Sequence, residues 1–196
     1  MAGRPKTLDR NHALGVALEG YWREGLYGMS INEVCRRAKI SKPGLYREFG
    51  GEDGLLANVL HLYHEIIVRD VVRLLRTPHS FEAVLRIYLR STITRDGHPP
   101  GCLLAEMLLV YPSLGKQTQA AVNVLEAAIL AAYREWIHGA QERGEVSPEL
   151  VIEDAAQHLF TQMNMASVDA LRGKDPEMIR RTVAMALWCF APNLTL

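Results

Sequence analysis

An all-α fold is predicted for this 196-residue chain by three observations. Apolar residues recur at three- and four-residue spacing in segment after segment, the rhythm of a helix with one face inward. Gly, Pro and short polar clusters cut that rhythm into pieces of helical length, and the alternating Val, Ile and Thr runs of a strand are absent. A hydrophobic fraction of 48% and a mean hydropathy of −0.03 are those of a globular protein with a real core.

The first helix is marked by Ala13, Leu14, Ala17, Leu18, Tyr21 and Trp22 and stops near Gly25. The second opens on Ser30 with Glu33 three residues on, a capping box in which the two side chains satisfy orphan amides reciprocally. Ile31, Val34, Cys35 and Ala38 then form one apolar stripe, with Asn32, Arg36 and Arg37 off it. A short corner leads to Ser41, a good N-cap, and Lys42 and Pro43 follow in the first turn, where a missing amide is harmless. Leu45 and Phe49 are four apart and point inward, leaving Lys42, Gly44, Tyr46 and Arg47 outward.

Gly50 and Gly51 break the chain before a helix over 53–76, closed by Thr77 and Pro78. Helices are expected over 81–94, 102–110 and 117–143, the last with Val122, Leu125, Ile129, Ala132, Trp136 and Ala140 in 3-4 rhythm. Two more span 149–171 and 176–190. Both are apolar on more than one side: Val151, Leu159, Met163 and Met165 on one, Ile179, Met185, Leu187, Trp188 and Phe190 on the other. A second apolar face calls for a partner, either the rest of the chain or a second copy.

Two short helices with a tight corner can set one helix into a DNA groove, although the same shape also serves as an ordinary αα-corner. An outward face bearing a cation, a phenol, a guanidinium and bare backbone suits phosphates and base edges. Charge supports the DNA reading. Residues 1–50 hold nine Lys and Arg against five acidic residues, and the remainder holds 13 against 17, so a neutral whole contains a basic head and an acidic body. Arg4 and Lys6 precede the first helix, either as an arm for a minor groove or as an idle terminus.

The stretch ALEGYWREG, the helix SINEVCRRA, the turn KIS, the helix KPGLYREF and the following FGGEDGLLANVL together resemble the amino-terminal domain of the TetR family of transcriptional regulators. The resemblance implies a three-helix helix-turn-helix DNA-binding domain, here 1–52, joined to an all-helical ligand-binding and dimerisation domain, 53–196. It implies phosphate contacts from Ser30 and Tyr46, with Lys42, Pro43, Gly44 and Arg47 nearest the groove floor. Arg37, Arg4 and Lys6 complete the expected DNA-binding set. Where such turns usually have glycine this chain has Lys39, which is expected at positive φ. Where a lysine often opens the fourth helix this chain has Gly51, Glu52 and Asp53, whose acids suit the helix dipole rather than a phosphate. The family pairs its last two helices in a dimer, which implies a homodimer through 149–171 and 176–190 and a near-palindromic operator in double-stranded DNA.

A small-molecule inducer of unknown identity is implied for the middle helices. Cys102, Leu103, Met107, Tyr111, Tyr133, Trp136, Phe160 and Met163 are the candidate pocket, or else plain core. Cys102 stands at a helix start, where thiolate is favoured, so it is either an oxidant sensor or a small buried residue. His61 and His64 lie one turn apart without a third ligand, and no metal or cofactor is expected. No nucleotide loop, nucleophile elbow or zinc-protease motif is present, so an enzyme is not expected. No run approaches the ~18 apolar residues of a membrane span, and three scattered cysteines suit a reducing compartment, so the expected location is cytoplasmic. The expectation is a DNA-binding dimeric repressor released by a small-molecule or redox signal; a helical ligand-binding or interaction protein without DNA affinity is the alternative.

Overall fold

The computed structural model describes residues 9–94 and 97–190, and no strand occurs among them. The head consists of α1 (Arg10–Gly28), α2 (Ile31–Ala38) and α3 (Lys42–Phe49). Their inward stripes meet: Ala13, Ala17 and Tyr21 of α1, Val34 of α2 and Leu45 of α3 are wholly buried. Gly25 takes φ 74 and ψ 170 and kinks α1 in its last turns, where the apolar rhythm ends. Lys39 has φ 55 and ψ 41, the expected left-handed corner. Arg10 ties the head to the next helix, pairing with Glu48 at 3.2 Å and donating to Asn58 Oδ1 at 2.5 Å.

The helix expected over 53–76 is three successive pieces: α4 (Glu52–Tyr63), a π-helical turn (His64–Val68) and α5 (Arg69–Leu75). A π turn accommodates one extra residue, a feature that side-chain periodicity does not reveal. The body continues with α6 (Phe81–Ile93), α7 (Leu103–Leu109), a 3-10 turn (Tyr111–Ser113) and α8 (Lys116–Glu142). It ends with α9 (Ile152–Leu171) and α10 (Pro176–Ala186). These last two are shorter than expected, α9 starting after Val151 as N-cap and α10 giving way to turns at Leu187. The long α8 packs between α4 and α9 as the axis of the body. Phe81, at the start of α6, stacks on Trp136 of α8 at 4.4 Å and on Phe190 at 6.0 Å, which seals one end of the core.

The seam between head and body is closed by Asp53. Its carboxylate accepts from the amides of Gln117 at 3.0 Å and Thr118 at 2.9 Å, and from Thr118 Oγ1 at 2.7 Å. The N-cap of α8 is Gly115, which has no side chain to offer, and a Cβ there would fall 2.2 Å from Asp53 Cγ. Asp53 therefore caps α8 from 62 residues away, and only glycine leaves it room. Asp53 also stands with Glu52 in the first turn of α4, where acids are expected, so its carboxylate serves two helix starts. Burial opposes the charge, but hydrogen bonds from the Thr118 hydroxyl and from the amides of Thr118 and Gln117 outweigh it and hold the carboxyl below its usual range.

The doubled apolar faces at the end of the chain divide as follows. Ala155, Leu159 and Met163 of α9 are buried in the subunit, as are Ile179 and Val183 of α10 with Leu187 and Phe190 beyond it. His158 donates to the Ala186 carbonyl at 2.8 Å and fixes the pair. Val151, Met165, Met185 and Trp188 point outward, the last two 79% and 63% exposed. No helix among the described residues is long and apolar enough to cross a membrane.

Candidate nucleic-acid interface and interior cavity

α3 is anchored from within and open from without. Ser41 Oγ accepts from the Gly44 amide at 3.2 Å and starts the helix, Leu45 and Phe49 hold it to the head, and Gly50 at φ 76 ends it. Lys42, Pro43, Tyr46 and Arg47 face solvent, Tyr46 at 47% exposure with the Lys42 ammonium 6.0 Å from its ring centre. Among the described residues no acidic partner is found for Lys42 or Arg47. Such a face leaves two cations and a phenol available to phosphates and base edges.

Three features of this surface go beyond what spacing predicts. Gly44 is buried: with no side chain to project, its backbone is covered by neighbouring groups. Arg37 is not open. It forks onto Glu24 of α1 and bonds Glu33, cross-linking α1 and α2. The capping box is half formed, since Ser30 Oγ accepts from the Glu33 amide at 3.2 Å while the Glu33 carboxylate turns to Arg36 and Arg37. Hydrogen bonds from Arg36 first and Arg37 second bring that carboxyl down to about 2. Ser30 is exposed at the start of α2. Arg4 and Lys6 lie outside the described residues.

In the body, Tyr63 of α4, Val71 of α5, Tyr88 and Thr92 of α6, Cys102, Ile129 and Tyr133 of α8, and Phe160, Asn164 and Ser167 of α9 are among the residues surrounding a cavity. It is partly enclosed and narrow, with about 30 Å³ open to the centre of a water-sized sphere. That is room for one or two waters and not for a drug-sized ligand. Of the eight residues expected to line a pocket, Cys102, Tyr133 and Phe160 do so. Leu103, Met107, Trp136 and Met163 are core instead, and Tyr111 sits in the 3-10 turn away from the cavity. Among the lining residues not foreseen are Tyr63, Tyr88, Thr92, Asn164 and Ser167, which carry its other polar groups. A signal existed for the first, because Tyr63, Ile67 and Val71 recur at i, i+4 and i+8.

Hydroxyls dominate the cavity's polar atoms. Tyr88 and Tyr133 share a hydrogen bond at 2.8 Å, Thr92 donates to the Tyr88 carbonyl at 3.0 Å, and Ser167 donates to the Met163 carbonyl at 2.8 Å. The Tyr63 hydroxyl donates to Cys102 Sγ at 3.1 Å. Burial, with Tyr88 beside it, pushes the Tyr133 phenol well up, so it stays neutral. No Cys102 disulfide is formed. Tyr63 also packs edge-on against Trp22 of α1 at 5.1 Å, so one side chain touches both the cavity and the head. Among the described residues no three His, Cys, Asp or Glu side chains gather to hold a metal.

Comparison with known proteins gives one family. Residues 13–59 match the bacterial regulatory proteins of the tetR family. The chain is 25% identical over 192 residues to the HTH-type transcriptional repressor ComR of Escherichia coli strain K12, covering 94% of this chain and 90% of that one. Its fold is similar to that of reduced E. coli NemR, with a TM-score of 0.78 at 16% identity over 93% of this chain and 97% of the other. It is also similar to a cysteine mutant of the TetR family regulator CifR bound to a 26-base-pair operator, with a TM-score of 0.75 at 24% identity over 96% and 100%. With the head, the anchored and outward-facing α3 and the helical body already in view, the conclusion is that residues 13–59 form a DNA-binding head of the tetR type and that the chain as a whole is similar to TetR-family transcriptional regulators.

Proposed function

We propose that the protein is a dimeric transcriptional repressor that reads a near-palindromic operator through α3 and is released from it by a signal at the body cavity. The observation that carries the reading is the split character of α3: Leu45 and Phe49 fix it rigidly while Lys42, Tyr46 and Arg47 remain open to solvent. Lys42, Pro43 and Arg47 approach the groove, and Ser30 and Tyr46 bond phosphates. The domain division at about residue 52 follows the turn before α4. Outward Val151, Met165, Met185 and Trp188 supply an apolar face for a second copy. A two-fold pair then sets its recognition helices about one DNA turn apart, ~34–36 Å. ComR is named a repressor and CifR was solved on operator DNA, which supports the same sign and partner here. A regulator of this kind works in the compartment that holds the DNA, the cytoplasm.

The cavity supplies the input. A ligand weakens operator binding only by its different affinity for the two arrangements of the heads, and Tyr63 against Trp22 is a contact through which the cavity's state reaches α1. Cys102, on the cavity wall and bonded by Tyr63, offers the redox version of the same input. The deciding experiment is titration of duplex operator at several salt concentrations. A linear fall of log K with log salt is expected, and Lys42→Ala and Arg47→Ala each weaken binding and lower the slope by about 1. Absence of duplex affinity at low salt would leave a helical ligand-binding protein in its place.

A further inference from the structure

A surface groove lies on the other side of the cavity's wall. Ile66, Ile67, Asp70, Val71, Ile87 and Ser91 are among its lining residues, and it is wider and more open to solvent than the cavity. Ile67 and Val71 line both spaces, so the partition between them is two side chains. Ile66 and Ile87 are large apolar residues left exposed on the groove side. The π turn over His64–Val68 includes Ile67, so the partition is built partly on the widest and least regular part of the helix.

We propose that this groove is the entrance to the cavity, gated by Ile67 and Val71, and that it admits uncharged, largely apolar small molecules carrying a hydrogen-bonding group. The inference rests on the reading of the cavity as the effector site and adds the route and the chemistry. With about 30 Å³ open to the centre of a water-sized sphere, the cavity is too small for such a molecule, so something must move. A two-residue partition beside a ready antechamber is the shortest path, because rotating Ile67 and Val71 merges the two spaces without unpacking α8 or α9. Chemistry follows from the lining, since none of its residues carries a charge. A charged ligand would be stripped of water with no counter-ion to meet it. The phenols and the amide of Asn164 instead offer hydrogen bonds to a neutral polar group, while Ile67, Val68, Ile129 and Phe160 take an apolar body.

Two fluorophores with one skeleton test both claims on the full-length protein: uncharged N-phenyl-1-naphthylamine and the anion 8-anilinonaphthalene-1-sulfonate. The neutral probe is expected to bind at least tenfold more tightly; equal affinity, or no saturable binding of the neutral probe, overturns the ligand class. For the route, Ile87→Trp fills the groove without touching the cavity. It is expected to slow association and dissociation alike by fivefold or more with Kd within twofold, and Ile67→Ala to speed both. Tyr133→Phe changes only the inner wall and is expected to alter Kd through dissociation. Unchanged rates in a folded Ile87→Trp protein place the entrance elsewhere and overturn the gate. Gated binding that leaves operator affinity unaltered would instead overturn the effector reading while the entrance stands.

Discussion

Lys39 turns the corner between α2 and α3 at φ 55, a conformation in which a side chain costs roughly 1 kcal/mol. Lys39→Gly is therefore expected to raise stability by about 0.5–1 kcal/mol, seen as a higher urea midpoint with an unchanged slope. A lower midpoint would mean that the lysine makes a compensating contact. A second residue at odds with its surroundings is Glu106 of α7. Its Oε1 is buried without a hydrogen-bond partner, and its Oε2 lies 3.4 Å from the Cβ position of Gly25 at the kink of α1. Burial pushes the carboxyl from 4.5 up to about 7. The folded protein thus holds this proton more tightly than the unfolded chain. Its contribution is complete below pH 4.5 and is lost as pH rises through about 7. Glu106→Gln should remove that loss, worth about 1–2 kcal/mol after discounting for partial exposure, so variant and wild type diverge between pH 5 and pH 8 in thermal melts. Parallel pH profiles would show that Glu106 relaxes into solvent.

Between elements, the decisive joint is the Asp53 cap on α8. A charged cap bonded to two helix amides and a hydroxyl contributes about 1–2 kcal/mol, so Asp53→Ala is expected to lower stability by that amount. Asp53→Asn should recover part of it by keeping acceptor geometry. Because the folded carboxyl lies below its ordinary value, this stabilisation is present above pH 4 and disappears as acid protonates it. Denaturant titrations at pH 7 check the magnitude, and a loss under 0.3 kcal/mol would show that water replaces the cap. The joint also has a functional side. It sits where α4 leaves the head, so loosening it should widen the spread of head positions and weaken operator binding more than it weakens the fold.

For the whole molecule, the proposed dimer would turn one weak half-site contact into specific recognition. Two recognition helices on one rigid frame bind with an effective concentration that separate subunits lack. Trp188→Glu and Met185→Glu place charge in the exposed apolar face of α10 and the turn after it without disturbing the subunit core. Both variants are expected to sediment as folded monomers and to lose at least 100-fold in operator affinity. A dimer that survives both substitutions would put the two-fold axis elsewhere. Head and body meet through two contacts of different chemistry: the polar Asp53 cap and the aromatic Trp22–Tyr63 contact, the latter extended by His98 stacked on Trp22 at 5.4 Å.

Local physics made much of this legible in advance. The inward stripes of α1, α2 and α3, the Ser41 cap, the strained Lys39 corner and the outward Lys42, Tyr46 and Arg47 follow from spacing, capping and the cost of positive φ, which act within a few residues. So do the surplus apolar faces at the chain's end. Tertiary contact decided the rest. Whether Arg37 is free depends on Glu24 thirteen residues away, and whether Asp53 also caps a second helix depends on Gly115. Which aromatics border a cavity and which fill the core turned on how α4, α6, α8 and α9 meet, since Trp136 and Phe160 lie on equally apolar helices yet only Phe160 faces the cavity. Periodicity says that a side chain is turned inward; only the neighbouring helices determine whether it meets another atom there or a space.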